Sequence, residues 1–182
     1  EYLCQPERGA ISHLPRGIKF AEAVVCEGAW YANTYLTAFE LKPGHRILIY
    51  GASGAIGTAA VQLSKHYGAT VTAVVSTRHL DLVKSLGADK MIDYSVEDFT
   101  QDSETYDFIL DAVGKTTYFQ CRHLLAAKGM FSATDLGPWY QNILLDAWSA
   151  LTRSKRVVFP MPKHSELLVD FLKARIETGE FR

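Results

Sequence analysis

The chain of 182 residues holds only three cysteines, Cys4, Cys26 and Cys121, odd in number and widely spaced. Such a set is neither a disulfide framework nor a CxxC zinc knuckle, and it points to a reducing, cytoplasmic setting. Neither sign of charge is in excess: 19 Lys and Arg face 20 Asp and Glu, for a net charge of −1. Bulk binding to nucleic acid or an anionic membrane surface wants a basic surplus, so neither is expected. No apolar run exceeds four residues, with Ile47–Tyr50 typical, so no segment reads as a membrane span. Internal repeats, low-complexity stretches and charge blocks are absent too. What the chain does have is apolar mass: 48% of its residues are hydrophobic, enough for a sizeable core.

From residue 46 onward, strand-like and helix-like segments alternate. Arg46–Tyr50, Thr70–Val75, Lys90–Asp93, Asp107–Asp111, Gly129–Thr134 and Lys155–Phe159 are short runs rich in β-branched and aromatic residues. Between them, Ile56, Ala59, Ala60, Leu63 and Tyr67 recur at helical spacing before Gly68, and Leu82, Val83 and Leu86 do so before Gly87. Helices are also expected at Thr117–Leu125, at Ile143–Leu151 and around Leu167–Ile176, the last stopped by Gly179. Short connections between alternating elements imply parallel strands joined by right-handed crossovers. The expectation is an α/β fold: a doubly wound parallel sheet of six strands in the order 3-2-1-4-5-6. Residues 1–45, punctuated by Pro6, Pro15 and Pro43, read as an appendage with one helical stretch from Phe20 to about Phe39. Residues 46–182 read as the sheet domain.

The sharpest local signal is Gly51-Ala52-Ser53-Gly54-Ala55-Ile56-Gly57, between a predicted strand and a predicted helix. The first glycine suits a tight turn, the second a close backbone approach to a pyrophosphate, and the third close packing of helix on strand. The helix N-terminus then offers free N–H groups and a positive dipole end to an anion. The GxxGxxG spacing is one residue longer than the usual dinucleotide fingerprint. No GK[ST] triplet follows the loop, which disfavours a nucleoside triphosphatase. The plainer alternative is a glycine-rich turn that only packs the sheet.

GASGAIG, Thr77–Asp89, Met91–Tyr94, Asp107–Gly114 and the leader Glu1–Glu7 together resemble the medium-chain dehydrogenase/reductase superfamily. The resemblance is nearest to its zinc-independent, quinone-oxidoreductase-like branch of NADPH-dependent reductases. Members of that family begin with a catalytic domain and return to it at the C-terminus. This chain starts at what resembles that domain's last strand and stops before the return, as an excised cofactor domain would. The resemblance implies hydride transfer to a quinone, enone or aldehyde as small-molecule substrate. It also implies a homodimer built through the edge of strand six.

The place past strand two where an acid would meet a free ribose 2′-OH reads Ser76-Thr77-Arg78. Hydroxyls and a guanidinium suit a 2′-phosphate, which favours NADPH over NADH. In the resembling family a tyrosine at the position of Tyr94 helps to hold that phosphate. Loops at the carboxyl ends of strands four and five face the ligand in such a sheet, which places Val113, Leu136 and Gly137 beside the nicotinamide. Asp111 reads as a strand-end residue capping the next turn. Phe159 either closes the pocket or fills the core.

In zinc alcohol dehydrogenases of the same superfamily a cysteine in the segment of Cys26 ligates catalytic zinc. Zinc needs three protein ligands and an open position, and the remaining ligands are not in this chain, so no metal is expected. Cys26 then reads as a small buried hydrophobe or a cleft residue. Tyr31 and Asn33 stand where the family commonly has a threonine near the nicotinamide. No tyrosine has a lysine four positions on, which excludes the short-chain dehydrogenase pair. Two alternatives stay open: a non-catalytic NADPH-binding sensor module, and the cofactor domain of a zinc-dependent alcohol dehydrogenase.

Overall fold

The computed structural model describes residues 12–20, 23–149, 155–161 and 166–181. The leader Glu1–Glu7, the expected end of a helix at Leu151, and Pro162 lie outside the described residues. Six parallel strands form one sheet in the order β3-β2-β1-β4-β5-β6. They are β1 (Arg46–Tyr50), β2 (Thr70–Val75), β3 (Lys90–Asp93), β4 (Tyr106–Asp111), β5 (Leu125–Ala133) and β6 (Arg156–Val157). The helices are α1 (Val25–Ala38), α2 (Ala55–His66), α3 (Leu80–Ser85), α4 (Tyr118–Cys121), α5 (Gln141–Ser149) and α6 (Glu166–Glu177). None of the helices is long and apolar enough to cross a membrane.

The apolar strand runs follow from burial on both faces. Along β1, Ile47 and Ile49 join one apolar cluster with residues of α1, α2 and α6, whereas Leu48 points into a second cluster on the other face. The same alternation sends Phe108 and Leu110 one way and Ile109 the other. Each of these side chains is essentially inaccessible, and burying one is worth about 1.5–3 kcal/mol relative to leaving it exposed. Ala29, Ala32, Tyr35, Leu36 and Phe39 carry α1 into the first cluster, and Phe39 stacks on Phe108 with ring centroids 4.9 Å apart.

Element boundaries differ from the sequence expectation most at α1, α4, β5 and β6. The first helix starts at Val25; of its expected start, residues 21–22 lie outside the described residues. The fourth is a single turn capped by a reciprocal Thr117–Gln120 box, and Leu125 already belongs to β5. There Tyr106 pairs with Leu125 while Phe108 pairs with Met130, so a register irregularity takes up Ala126–Gly129. β6 shrinks to two residues. Val158 still donates inward to Phe131 O at 2.9 Å, but Lys155 and Phe159 fall outside the strand.

Candidate cofactor site

The residues expected to form the site lie at the carboxyl ends of the strands. Gly51 leaves β1 at φ +75, a conformation that favours glycine, and its N–H and that of Ala52 are tied to Val74 O of β2 at 3.0 and 3.3 Å. A methyl group on Gly51 would lie 2.7 Å from a Val113 methyl. One on Gly57 would collide with Gly51 O and stand 2.6 Å from Ala52 Cα. These two glycines are therefore required by the protein's own packing, and Ala52 is fully buried between them. Gly54 is different. Its φ of −79 suits any residue, and a methyl there would meet only Gly51 O, at 3.5 Å. Nothing inside the chain calls for glycine at this position.

Gly54 is also the N-cap of α2 and offers no side-chain acceptor to the helix. The first-turn N–H groups of Ala55, Ile56 and Gly57 thus come without a protein cap. Ser53 and Ile56 are half-buried and Ala55 is exposed. An uncapped helix start under an unobstructed glycine fits a bound anion.

At the end of β2, Arg78 is exposed and makes no hydrogen bond or ion pair among the described residues. Thr77 is already committed: its hydroxyl donates to Asp93 Oδ2 at the end of β3. That bond first, and the backbone N–H of Ser95 further, hold the Asp93 carboxyl below the usual range. The site thus carries an acid that no inspection of the residues after β2 reveals, because it arrives from the next strand. Tyr94 follows it, exposed, with its ring 6.0 Å from that of Tyr50.

On the other side of the loop, Asp111 closes β4. It is 0% exposed, and its carboxylate accepts from the N–H groups of Val113, Gly114, Lys115 and Thr116 and from the Thr116 hydroxyl, at 2.6–3.0 Å. This makes Asp111 the organiser of the 112–116 turn, the capping role expected for it. The turn presents Val113, which is exposed, over Gly51. After β5, Leu136 is exposed and Gly137 sits at φ +68.

Asn33 points away from this end of the site: its Oδ1 accepts from Tyr67 OH at 2.8 Å, between α1 and α2. Burial pushes the Tyr35 hydroxyl up to about 12, with the charges of Tyr31 and Asp135 adding to it. Phe159 is half-buried, and its N–H donates to Asp146 Oδ2 at 3.3 Å. Burial likewise pushes the Cys26 thiol up, against the thiolate that zinc requires. The described residues contain no group of three His, Cys, Asp or Glu side chains placed to hold a metal. The donors present do not fit a zinc site.

Gly28 escaped the reading of the sequence. A methyl on it would lie 2.5 Å from Ala55 O, so α1 presses directly against the start of α2. The legible signal was an isolated glycine inside a helical pattern. A concavity of about 630 Å³ bounded by Tyr118, Phe119, Trp148 and Val157 lies away from the glycine loop.

Residues 55–158 match the family model described as zinc-binding dehydrogenase. A Mus musculus protein named NAD(P)H oxidoreductase RTN4IP1, mitochondrial, is 42% identical over 116 residues, which is 59% of this chain and 29% of that protein. The Arabidopsis thaliana NADPH-dependent alkenal/one oxidoreductase, chloroplastic, is 41% identical over 117 residues, 63% of this chain and 30% of that protein. The structure of the quinone oxidoreductase from Coxiella burnetii shares the fold, with a TM-score of 0.78 at 24% identity, over 92% of this chain and 52% of that one. The chain thus matches less than a third of the length of the two curated relatives.

Proposed function

The chain belongs to the zinc-binding dehydrogenase family, and from that premise we propose that it is the cofactor-binding part of an NADPH-dependent oxidoreductase. Residues 46–182 hold the cofactor in this reading, and residues 1–45 lead from a substrate-binding part. When bound, NADPH supplies a hydride from the nicotinamide C4 to an activated alkene, quinone or aldehyde. The chain's own residues bind and orient. The N–H groups of Ala55–Gly57 receive the pyrophosphate under Gly54. Arg78, with Ser76 and Tyr94, meets the 2′-phosphate. Val113 and Leu136 bound the nicotinamide, and Asp111 keeps the 112–116 turn in shape for it. Relatives named as NAD(P)H- and NADPH-dependent oxidoreductases support this reading. The observation that carries it is Gly54, the one loop glycine the chain's own packing does not demand.

Fluorescence titration of the chain with NADPH tests it. Saturable binding is expected, and Gly54→Asp should abolish it by placing a carboxylate against the pyrophosphate while leaving the thermal midpoint near that of the wild type. Undiminished binding in Gly54→Asp would remove the loop from the site.

Two copies pairing through the sixth strand are part of the proposal, with a constraint. The outward N–H of Val157 is already taken by Ser149 Oγ at 3.1 Å, and that of Phe159 by Asp146 Oδ2 at 3.3 Å. α5 must release both before an edge can pair, so we expect a weak dimer. Light scattering over a dilution series should show association strengthened by Ser149→Ala. A monomer at every concentration in both proteins would end the idea for this chain.

A further inference from the structure

The two turns assigned to the nicotinamide are joined by a residue that sequence patterns do not mark. Asn142 lies in the first turn of α5, 2% exposed. Its side-chain Nδ2 donates to Asp135 O at 2.9 Å, and its backbone N–H donates to Leu136 O at 3.1 Å. A methyl on Gly137 would stand 2.9–3.0 Å from the Asn142 amide, so the side chain lies directly against that glycine. Asp135 in turn covers the other turn: a methyl on Gly114 would be 2.7 Å from its carboxyl carbon. The path Asn142–Asp135–Gly114 therefore links the turn after β5 to the turn after β4.

The backbone between these ties is strained. Trp139 and Tyr140 both adopt left-handed conformations, φ 57 and 58, unusual for bulky residues. Packing does not hold them there, since their side chains are 93% and 65% exposed. Strain of this kind persists only where surrounding bonds over-determine it, and it gathers at sites that must present one geometry. Asn142 supplies two of those bonds, one on its side chain and one on its main chain.

We propose that Asn142 is a positioning residue for the nicotinamide half of the cofactor, acting through Asp135 and Leu136 without touching the ligand. The proposal rests on the cofactor reading above. It predicts a split between the two halves of the ligand, because the adenosine half is held by α2 and the end of β2, and β2 is four strands from β6, against which α5 packs.

The test titrates wild type and Asn142→Asp with NADPH and with adenosine 2′,5′-bisphosphate, which lacks the nicotinamide. Asn142→Asp keeps the shape and loses the donor. Loss of this buried hydrogen bond should raise the NADPH dissociation constant about tenfold, with the bisphosphate constant within about twofold of wild type. Asn142→Ser, which removes the same amide donor without adding a charge, should produce the same split if Asn142→Asp does not fold. Equal losses for both ligands would show that Asn142 acts on the fold as a whole and would overturn the proposal, as would NADPH binding unchanged in both variants. A wild-type chain that binds the bisphosphate but gains nothing from the nicotinamide would overturn it and leave the adenosine site standing. A wild type that binds neither would remove the cofactor reading and this inference together.

Discussion

The two ends of the same sheet are built to opposite rules. At the carboxyl end, among the described residues the start of α2 has no side-chain cap, Arg78 makes no hydrogen bond or ion pair, and Val113 and Leu136 are exposed. At the amino end, the charges that open β1, β3 and β4 form one paired network. Lys90 Nζ reaches both oxygens of Asp102 at 2.8 Å and Glu104 at 3.2 Å, Arg46 pairs with Glu104, and the buried Tyr106 donates its hydroxyl to Asp102. The network at the amino end is satisfied internally, whereas the carboxyl end combines satisfied groups such as Asp111 with an exposed Arg78 and an uncapped helix start. In the proposed reading, the amino end contributes stability and the carboxyl end leaves groups for a ligand to satisfy.

The largest expected effect separates packing from binding within the glycine loop itself. Gly57→Ala drives a methyl into the backbone of Gly51 and Ala52, with no flexible side chain to yield. A loss of about 3 kcal/mol or more is expected, read by denaturant unfolding. Near-wild-type stability would mean that the loop is not packed as described.

Arg78→Ala comes next, at the carboxyl end. It should cost NADPH about 1.5–3 kcal/mol of affinity by removing charge-assisted bonds, while NADH affinity barely changes. Equal losses for the two cofactors, measured by calorimetry, would place Arg78 outside the discriminating contact.

At the amino end, burial works to raise the Asp102 carboxyl, but hydrogen bonds from Lys90 and then Tyr106 outweigh it and hold the carboxyl below its usual range. A depressed carboxyl contributes stability that is fully present above its unfolded value of about 4 and is lost as pH falls through the folded value. Asp102→Asn should lower stability at pH 7 by about 1–2 kcal/mol, a figure reduced for the partly exposed Lys90. It should also flatten the fall in stability below pH ~4. An unchanged acid limb would show that other carboxylates govern it.

The smallest effect closes the comparison. Gly54→Ala should change folding stability by less than about 1 kcal/mol, since its φ suits alanine and offsets the weaker N-cap that alanine makes. The same substitution should weaken NADPH binding. A stability loss as large as that of Gly57→Ala would erase the distinction drawn between the two glycines.

Much of this was legible in the residues. Doubly buried strands read as short apolar runs, and the strand order followed from their alternation with helices. The boundaries that moved are those where pairing overrides propensity. Tyr106 N donates to Leu124 O at 2.8 Å and starts β5 four residues before Gly129, through a stretch with no strand character of its own. Among site residues, the loop glycines stood out because their spacing between a strand and a helix is a local pattern, although only Gly51 has a backbone conformation that favours glycine. Asp93, Asn142 and Gly28 did not, because each matters only through a neighbour distant in sequence.

By itself, then, the sequence determined the sheet, its order and the loop where an anion can approach, since periodicity and turn chemistry are local properties of the chain. Only the tertiary structure decided which glycine is free of internal contact, which hydroxyl is already taken, and which asparagine ties two turns together. Those outcomes depend on distances between elements that close packing sets, and no pattern along a single chain records them.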